Sequence, residues 1–146
     1  SYIGDDSTRH RPVMIHRALL GSIERFFGIM VEHYAGAFPM WLAPVQVALL
    51  TVADRHVSHA QQLSAELTAR GIRVSIDDDN EKLGAKIRRA RLSRVPATAV
   101  IGDREVESGG VSLTTRSDGE LGYRSAEEFI DFIVRGAKAP EILDIR

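Results

Sequence analysis

No cysteine occurs in this 146-residue chain, which excludes disulfides and thiolate chemistry and leaves any zinc to His, Asp or Glu ligands. Aromatic residues are few, with one Trp, three Tyr and five Phe, and they are scarcest in the second half, where stacking on nucleic-acid bases would need them. Phosphate-loop and dinucleotide glycine motifs are missing, and Ser, His and Asp occur without a nucleophile elbow, so no complete active site is visible. The longest apolar run, MWLAPVQVALLTVA, is interrupted by Pro44 and Gln46 and is too short to cross a bilayer, so no membrane segment is expected. The first residues lack the regions of a signal peptide, and the opening at Ser1 without Met suggests processing or a trimmed chain. With no cysteine as well, a cytoplasmic location is expected.

A net charge of only -1 accompanies 27% charged residues, a mixed composition that fits a folded α/β protein rather than a disordered one. At this length the chain can bury on the order of two-thirds of its unfolded surface. PVMIH, residues 12–16, reads as a short buried strand. From residue 17 to 34 the positions Leu20, Ile23, Phe27, Met30, Val31 and Tyr34 repeat at helical spacing. Leu19, Phe26 and Ile29 widen that apolar surface well past one stripe, so the helix expects protein on several sides. GAFPMWLAP breaks both periodicities and predicts a linker, with a boundary near Pro44. This divides the chain into residues 1–43 and 44–146.

Beyond the boundary the pattern is strand, helix, strand, helix, then strands and a last helix, which predicts a mixed β-sheet flanked by helices. VQVALLTV is a central strand, Asp54 a cap for a helix over 55–70 that stops at Gly71, and IRVSI a second strand. Asp77, Asp78, Asp79 and Asn80 are placed as caps of the next helix. ATAVIGD predicts a third strand and GDREVESGG a turn-rich excursion. The Gly109-Gly110 pair then marks a tight turn before VSLTT, and RSAEEFIDFIVRG a closing amphipathic helix.

The capped helix lies in NEKLGAKIRRARLSRVP, residues 80–96, which holds Lys82, Lys86, Arg88, Arg89, Arg91 and Arg94 against the single acid Glu81. With Leu83, Ile87 and Ala90 turned to the sheet, most of these cations face outward as a positive stripe that can neutralise phosphates. Charge alone leaves an ordinary solvated face and an RNA contact both open. Elsewhere His56 and His59 sit three apart on one helix, a spacing that suits a metal pair, but no third ligand accompanies them and solvated side chains are favoured. Taken alone, His16 is a hydrogen-bonded core histidine. Glu24 and Arg25, set among apolar residues, make either an internal ion pair or a ligand contact.

RPVMIHRALLGSIERFFGIMVEHYAGAFPMWLAPVQV resembles the end of the catalytic domain of the threonyl-tRNA synthetase family, including the third class II motif. DNEKLGAKIRRARLSRVP with IGDREVESGGVSLTTR resembles that family's carboxy-terminal anticodon-binding domain. The resemblance implies an α/β anticodon-binding domain of the class IIa type over 44–146, preceded by a strand and long helix left from the catalytic domain. It implies that His16 helps hold an active-site zinc and that Arg25 contacts ATP, a role suited to a guanidinium. It assigns anticodon bases to Asn80, Arg88 and Glu105, while the stripe offers Lys82, Lys86, Arg89 and Arg91 to the tRNA backbone. ATP, Mg and Zn are then cofactors of the parent enzyme, with none expected on this piece. Partners are threonine tRNA, the remainder of the synthetase and a second copy in a homodimer. Free-standing tRNA binding and simple dimerisation are the rival roles. The chain departs from the family pattern at Thr114, where an arginine is usual, and at Ala97 and Ala99, which are smaller than the usual residues.

Overall fold

The computed structural model describes residues 1–18 and 20–140; Leu19, expected on the first helix, and 141–146, the end of the second expected domain, lie outside them. The elements in chain order are β1 (Tyr2–Ile3), β2 (Arg9–His10), α1 (Ile23–Tyr34), β3 (Val47–Thr51) and, after a single turn at Asp54–His56, α2 (Val57–Ala69). They continue with β4 (Val74–Asp77), α3 (Leu83–Leu92), β5 (Ala97–Ile101), α4 (Asp103–Glu107), β6 (Gly110–Thr115), β7 (Gly119–Ser125) and α5 (Ala126–Gly136). Strands β1 and β2 form a small antiparallel pair, and the other five form one sheet in the order β4-β3-β5-β6-β7.

Strand β3 pairs in parallel with both β4 and β5, whereas β6 and β7 run antiparallel. The chain passes from β3 outward to β4 and then back across β3 to β5. Since parallel crossovers are right-handed, that reversal sends α2 and α3 to opposite faces. Leu63 and Leu67 of α2, with Phe129, Ile130 and Ile133 of α5, close one face over Val47, Leu49, Ala99, Ile101 and Leu113. On the other face α3 sets Ala90 on Ala48 and Leu50, with Leu83, Ile87, Val95 and Val100 partly buried around them. Beyond α3, the side chains of Thr98, Ser112 and Thr114 remain partly accessible and those of Glu120 and Tyr123 are exposed.

Several expectations change. Residues 12–16 form no strand and are exposed, Ile15 at 88%, because no described strand lies beside them to pair with. The first helix starts at Ile23, where the Ser22 hydroxyl accepts from the Arg25 N–H, and none of its residues is buried. Asp54 caps nothing; the ring of His56 accepts the Ala53 N–H instead. Helix α3 starts without a side-chain cap, with Lys82 at its N-cap, because Asp77 still belongs to β4 opposite Leu50. The excursion after β5 contains helix α4.

Strand β7 was not expected, yet Asp118-Gly119 is a hairpin signal, and Gly119 and Gly122 both take positive φ, 77° and 71°. Gly110 is required by packing: a Cβ there would stand 2.2 Å from the Arg124 carbonyl oxygen.

Candidate nucleic-acid interface

Folding sorts the cations around α3 into three groups. Lys86 is 2% exposed; its Nζ donates to the carbonyls of Thr51 at 2.8 Å and Asp77 at 3.1 Å, tying together the ends of β3 and β4. The expectation that it touches a phosphate is therefore corrected: the helix turn that places Ala90 on the sheet also drives residue 86 into it. Arg89 stays accessible but spends its charge locally, donating to Asp77 at 3.2 Å, to Asp79 at 2.5 Å and to Glu81. The acids expected to cap the helix thus neutralise one of its arginines. Lys82, Arg88, Arg91 and Arg94 form the third group, exposed and without an ion-pair partner among the described residues.

This sorting has a direction. Lys86 and Arg89, three apart on one flank, reach the β4 end at Asp77, Arg91 lies on the opposite flank toward β5 and β6, and Arg88 points outward between them. Arg91 and Arg94 line a groove of about 410 Å³ floored by Thr98 and Thr114, with Glu120 at its far side. Thr98 lies opposite Thr114 in the sheet, and Ser112 opposite Val100 and Tyr123, so Thr98, Ser112, Thr114 and Tyr123 share the part of this face that α3 leaves uncovered. Tyr123 adds an aromatic ring, 45% exposed, whose hydroxyl donates to the Ser108 carbonyl at 2.6 Å.

Glu105 stands over the same face. Its Oε1 accepts from the Ser112 hydroxyl at 2.7 Å and its Oε2 from the Gly102 N–H at 3.0 Å. Burial is the largest single influence on its carboxyl and pushes it upward. The hydrogen bonds from Ser112 and the backbone, with Arg104 nearby, together outweigh burial and hold it below the usual carboxylate range. It is an anion at neutral pH and offers only acceptor lone pairs, as suits the amino or imino edge of a base.

Helix α4, which carries Glu105, is pinned at its first residue. Asp103 accepts Arg55 Nε at 2.7 Å and Nη2 at 2.6 Å, and His56 Nε2 lies 2.9 Å away. Because His56 Nδ1 accepts from Ala53 N–H at 3.1 Å, its proton sits on Nε2 and is donated to Asp103. The carboxyl of Asp103 is held well below its ordinary range, first by the Arg55 hydrogen bond and then by that of His56. His56 is 1% exposed and occupied on both nitrogens, so the expected solvated histidine is instead a buried brace, and it is no half of a metal pair. His59 Nε2 lies 3.2 Å from the Gly110 carbonyl, as a donor.

Asn80 lies in the loop leaving β4, and Glu105 just after β5, so both stand at the carboxyl ends of the strands that flank β3. Asn80 and Glu105 thus share one end of the sheet, while Arg88 is exposed midway along α3. Thr98, Ser112, Glu120 and Tyr123 join the site without having been expected there, and Arg94 was expected only as one cation of the basic segment; the polar alternation of Thr98, Ser112 and Thr114 within their strands is the signal for that face.

The amino-terminal candidates fare differently. His16 is exposed, which corrects its reading as a core histidine, and Arg25 is exposed on α1. Glu24 accepts from the Ser22 hydroxyl at 2.7 Å rather than pairing with Arg25. Among the described residues no three His, Asp or Glu side chains cluster as metal ligands. His16 by itself does not make a zinc site, so such a site would need ligands from outside these residues.

A mixed sheet sealed on one face by two helices, and open on half of the other beneath a row of unpaired guanidiniums, is an α/β nucleic-acid-binding architecture. The chain belongs to the anticodon binding domain family, whose profile matches residues 46–135. It is 52% identical over 134 residues to the threonine–tRNA ligase of Caldanaerobacter subterraneus subsp. tengcongensis, covering 92% of this chain and 21% of that protein. To the threonine–tRNA ligase of Oleidesulfovibrio alaskensis it is 52% identical over 139 residues, 95% of this chain and 22% of that one. The chain thus spans about a fifth of the length of these relatives. Among solved structures it is similar to the RNA binding domain of threonyl-tRNA synthetase from Cryptosporidium parvum, with TM-score 0.75 and 31% identity over 83% of this chain and 30% of that one. The prolyl-tRNA synthetase of the same organism shares the fold, with TM-score 0.64 and 21% identity over 76% of this chain and 26% of that one.

Proposed function

We propose that the chain is the tRNA-recognising part of a threonine–tRNA ligase and that it grips the anticodon loop of threonine tRNA on its open sheet face. The observation that carries this is the segregation of charge: Arg91 and Arg94 keep free guanidiniums on the flank beside that face, with Arg88 exposed on the same helix, while Lys86 and Arg89 are consumed elsewhere. Asn80, Arg88 and the anionic Glu105 read base edges. Lys82 and Arg91 meet phosphates, and Tyr123 offers a stacking surface.

The boundary between the two parts lies at 43/44, within the linker that precedes β3. Residues 1–43 belong to the catalytic domain, with Arg25 toward ATP and His16 toward a zinc whose other ligands lie elsewhere in the complete enzyme. Mg would accompany the ATP. The complete enzyme is a cytoplasmic homodimer. The exposed apolar residues of α1, Phe26 at 40% and Phe27 at 59% among them, support contact with the remainder of the synthetase.

The test is a titration of this chain with cognate and non-cognate anticodon stem-loops at two salt concentrations. Cognate RNA should bind more tightly, and Arg88→Ala should cost about 1 to 3 kcal/mol of that preference. Equal affinity for all stem-loops would remove the specificity claim. No threonine-dependent ATP–pyrophosphate exchange is expected from the chain alone, since its catalytic groups are incomplete.

A further inference from the structure

Arg94 and Arg116 both touch the groove of the open face and the linker that follows α1. Arg94 ends the turn between α3 and β5 with φ 54°, a left-handed conformation that a non-glycine residue adopts only when its surroundings enforce it. Arg116 supplies the restraint. Its Nη1 donates to the Arg94 carbonyl at 2.6 Å, and its Nη2 donates to the linker carbonyls of Ala37 at 3.0 Å and Phe38 at 2.5 Å. The Arg94 side chain meanwhile passes over Gly36, with Cδ 3.6 Å and Nε 3.8 Å from where a Cβ would stand, and it lines the groove with Arg91, Thr98, Thr114 and Glu120. The Arg94 side chain thus lies between the groove and the linker, and its backbone is held by the arginine that grips the linker.

We infer that Arg94 couples RNA binding on the sheet face to the linker at residues 36–43, with Arg116 as its positioning partner. This rests on the RNA-binding reading above. Engagement of the Arg94 guanidinium, which has no ion-pair partner among the described residues, by a phosphate or base fixes the side chain over Gly36, and the fixed side chain restrains the linker beneath it. By reciprocity, a linker held in the same position from the α1 side raises affinity for RNA.

Hydrogen exchange over residues 35–46 of the full chain, with and without saturating anticodon stem-loop, tests the inference. RNA should slow linker exchange about fivefold or more. Arg94→Gly removes the side chain yet suits the left-handed backbone, so the variant should stay folded with an unchanged or raised melting temperature. It should still bind RNA, more weakly, and at saturation its linker exchange should no longer respond. Arg116→Ala should likewise abolish the response. A linker indifferent to RNA in the unmodified chain overturns the coupling, as does a full response in Arg94→Gly. Absence of any RNA binding would instead bring down the RNA reading itself, and the coupling with it.

Discussion

Lys86 and Arg91 show how little a residue's type says until its helix is docked. Both are cations of one short helix, five positions apart, yet one donates inward to two strand ends and the other lines a groove. Lys86→Met keeps the length of the side chain but strips the Thr51 carbonyl of its side-chain donor. It should cost about 1 to 3 kcal/mol of stability in a denaturant melt, with RNA affinity unchanged once the protein is folded. Arg91→Ala should do the reverse, leaving the melt nearly unmoved and reducing the salt slope of RNA binding by about one. Asp103 gives a pH signature. Its folded carboxyl titrates below the unfolded one, so its stabilising contribution is present above the ordinary carboxylate pKa of about 3.9 and is lost as pH falls further. In urea melts, the deficit of Asp103→Asn should therefore hold steady from neutral pH to about pH 5 and shrink toward acid.

At the level of elements, the interface depends on the β6–β7 hairpin and on a short helix. Helix α4 has a single turn, and it is held by the Arg55–Asp103 and His56–Asp103 contacts and by Glu105 folding back on Gly102. Strands β6 and β7 change register between Leu113 and Thr114, and their close approach leaves no room for a side chain at residue 110. Gly110→Ala should therefore lose about 1 to 3 kcal/mol in thermal unfolding, because the new methyl must displace backbone rather than a mobile side chain. The other helices were legible because their periodic apolar faces are long. Ser125 and Glu128 exchange hydrogen bonds at the start of α5, a reciprocal cap written in its first residues. Strand β7 was illegible because GELGYRS has two glycines and no alternating apolar face of its own.

For the whole molecule, burial is uneven. Every residue the structure buries lies at Phe38 or beyond, while α1 presents Ile23, Phe26, Phe27 and Ile29 to solvent. The chain by itself should self-associate through this surface. Light scattering should give an apparent mass that rises with concentration, and Phe26→Asp with Phe27→Asp should abolish the rise without shifting the melt of the sheet domain. A strict monomer at all concentrations would show that α1 is satisfied in some other way. The linker is fastened at more than one point. Arg73 donates to the carbonyls of Ala43 and Trp41, and Gln46 to that of Met40, so the end of the linker moves with the sheet.

The sequence by itself determined the alternation of strands and helices from β3 to β5, the closing helix α5, and the presence of a basic segment between an amide and a carboxylate, because each is a local matter of periodicity, breakers and charge. Only the tertiary structure decided which cations are free. That choice depends on the angle at which α3 meets the sheet and on the acids of a neighbouring strand end, and neither is encoded within the helix. The same is true of the polar face that receives them: Thr98, Ser112, Thr114 and Tyr123 come from three strands and become one surface only through their register.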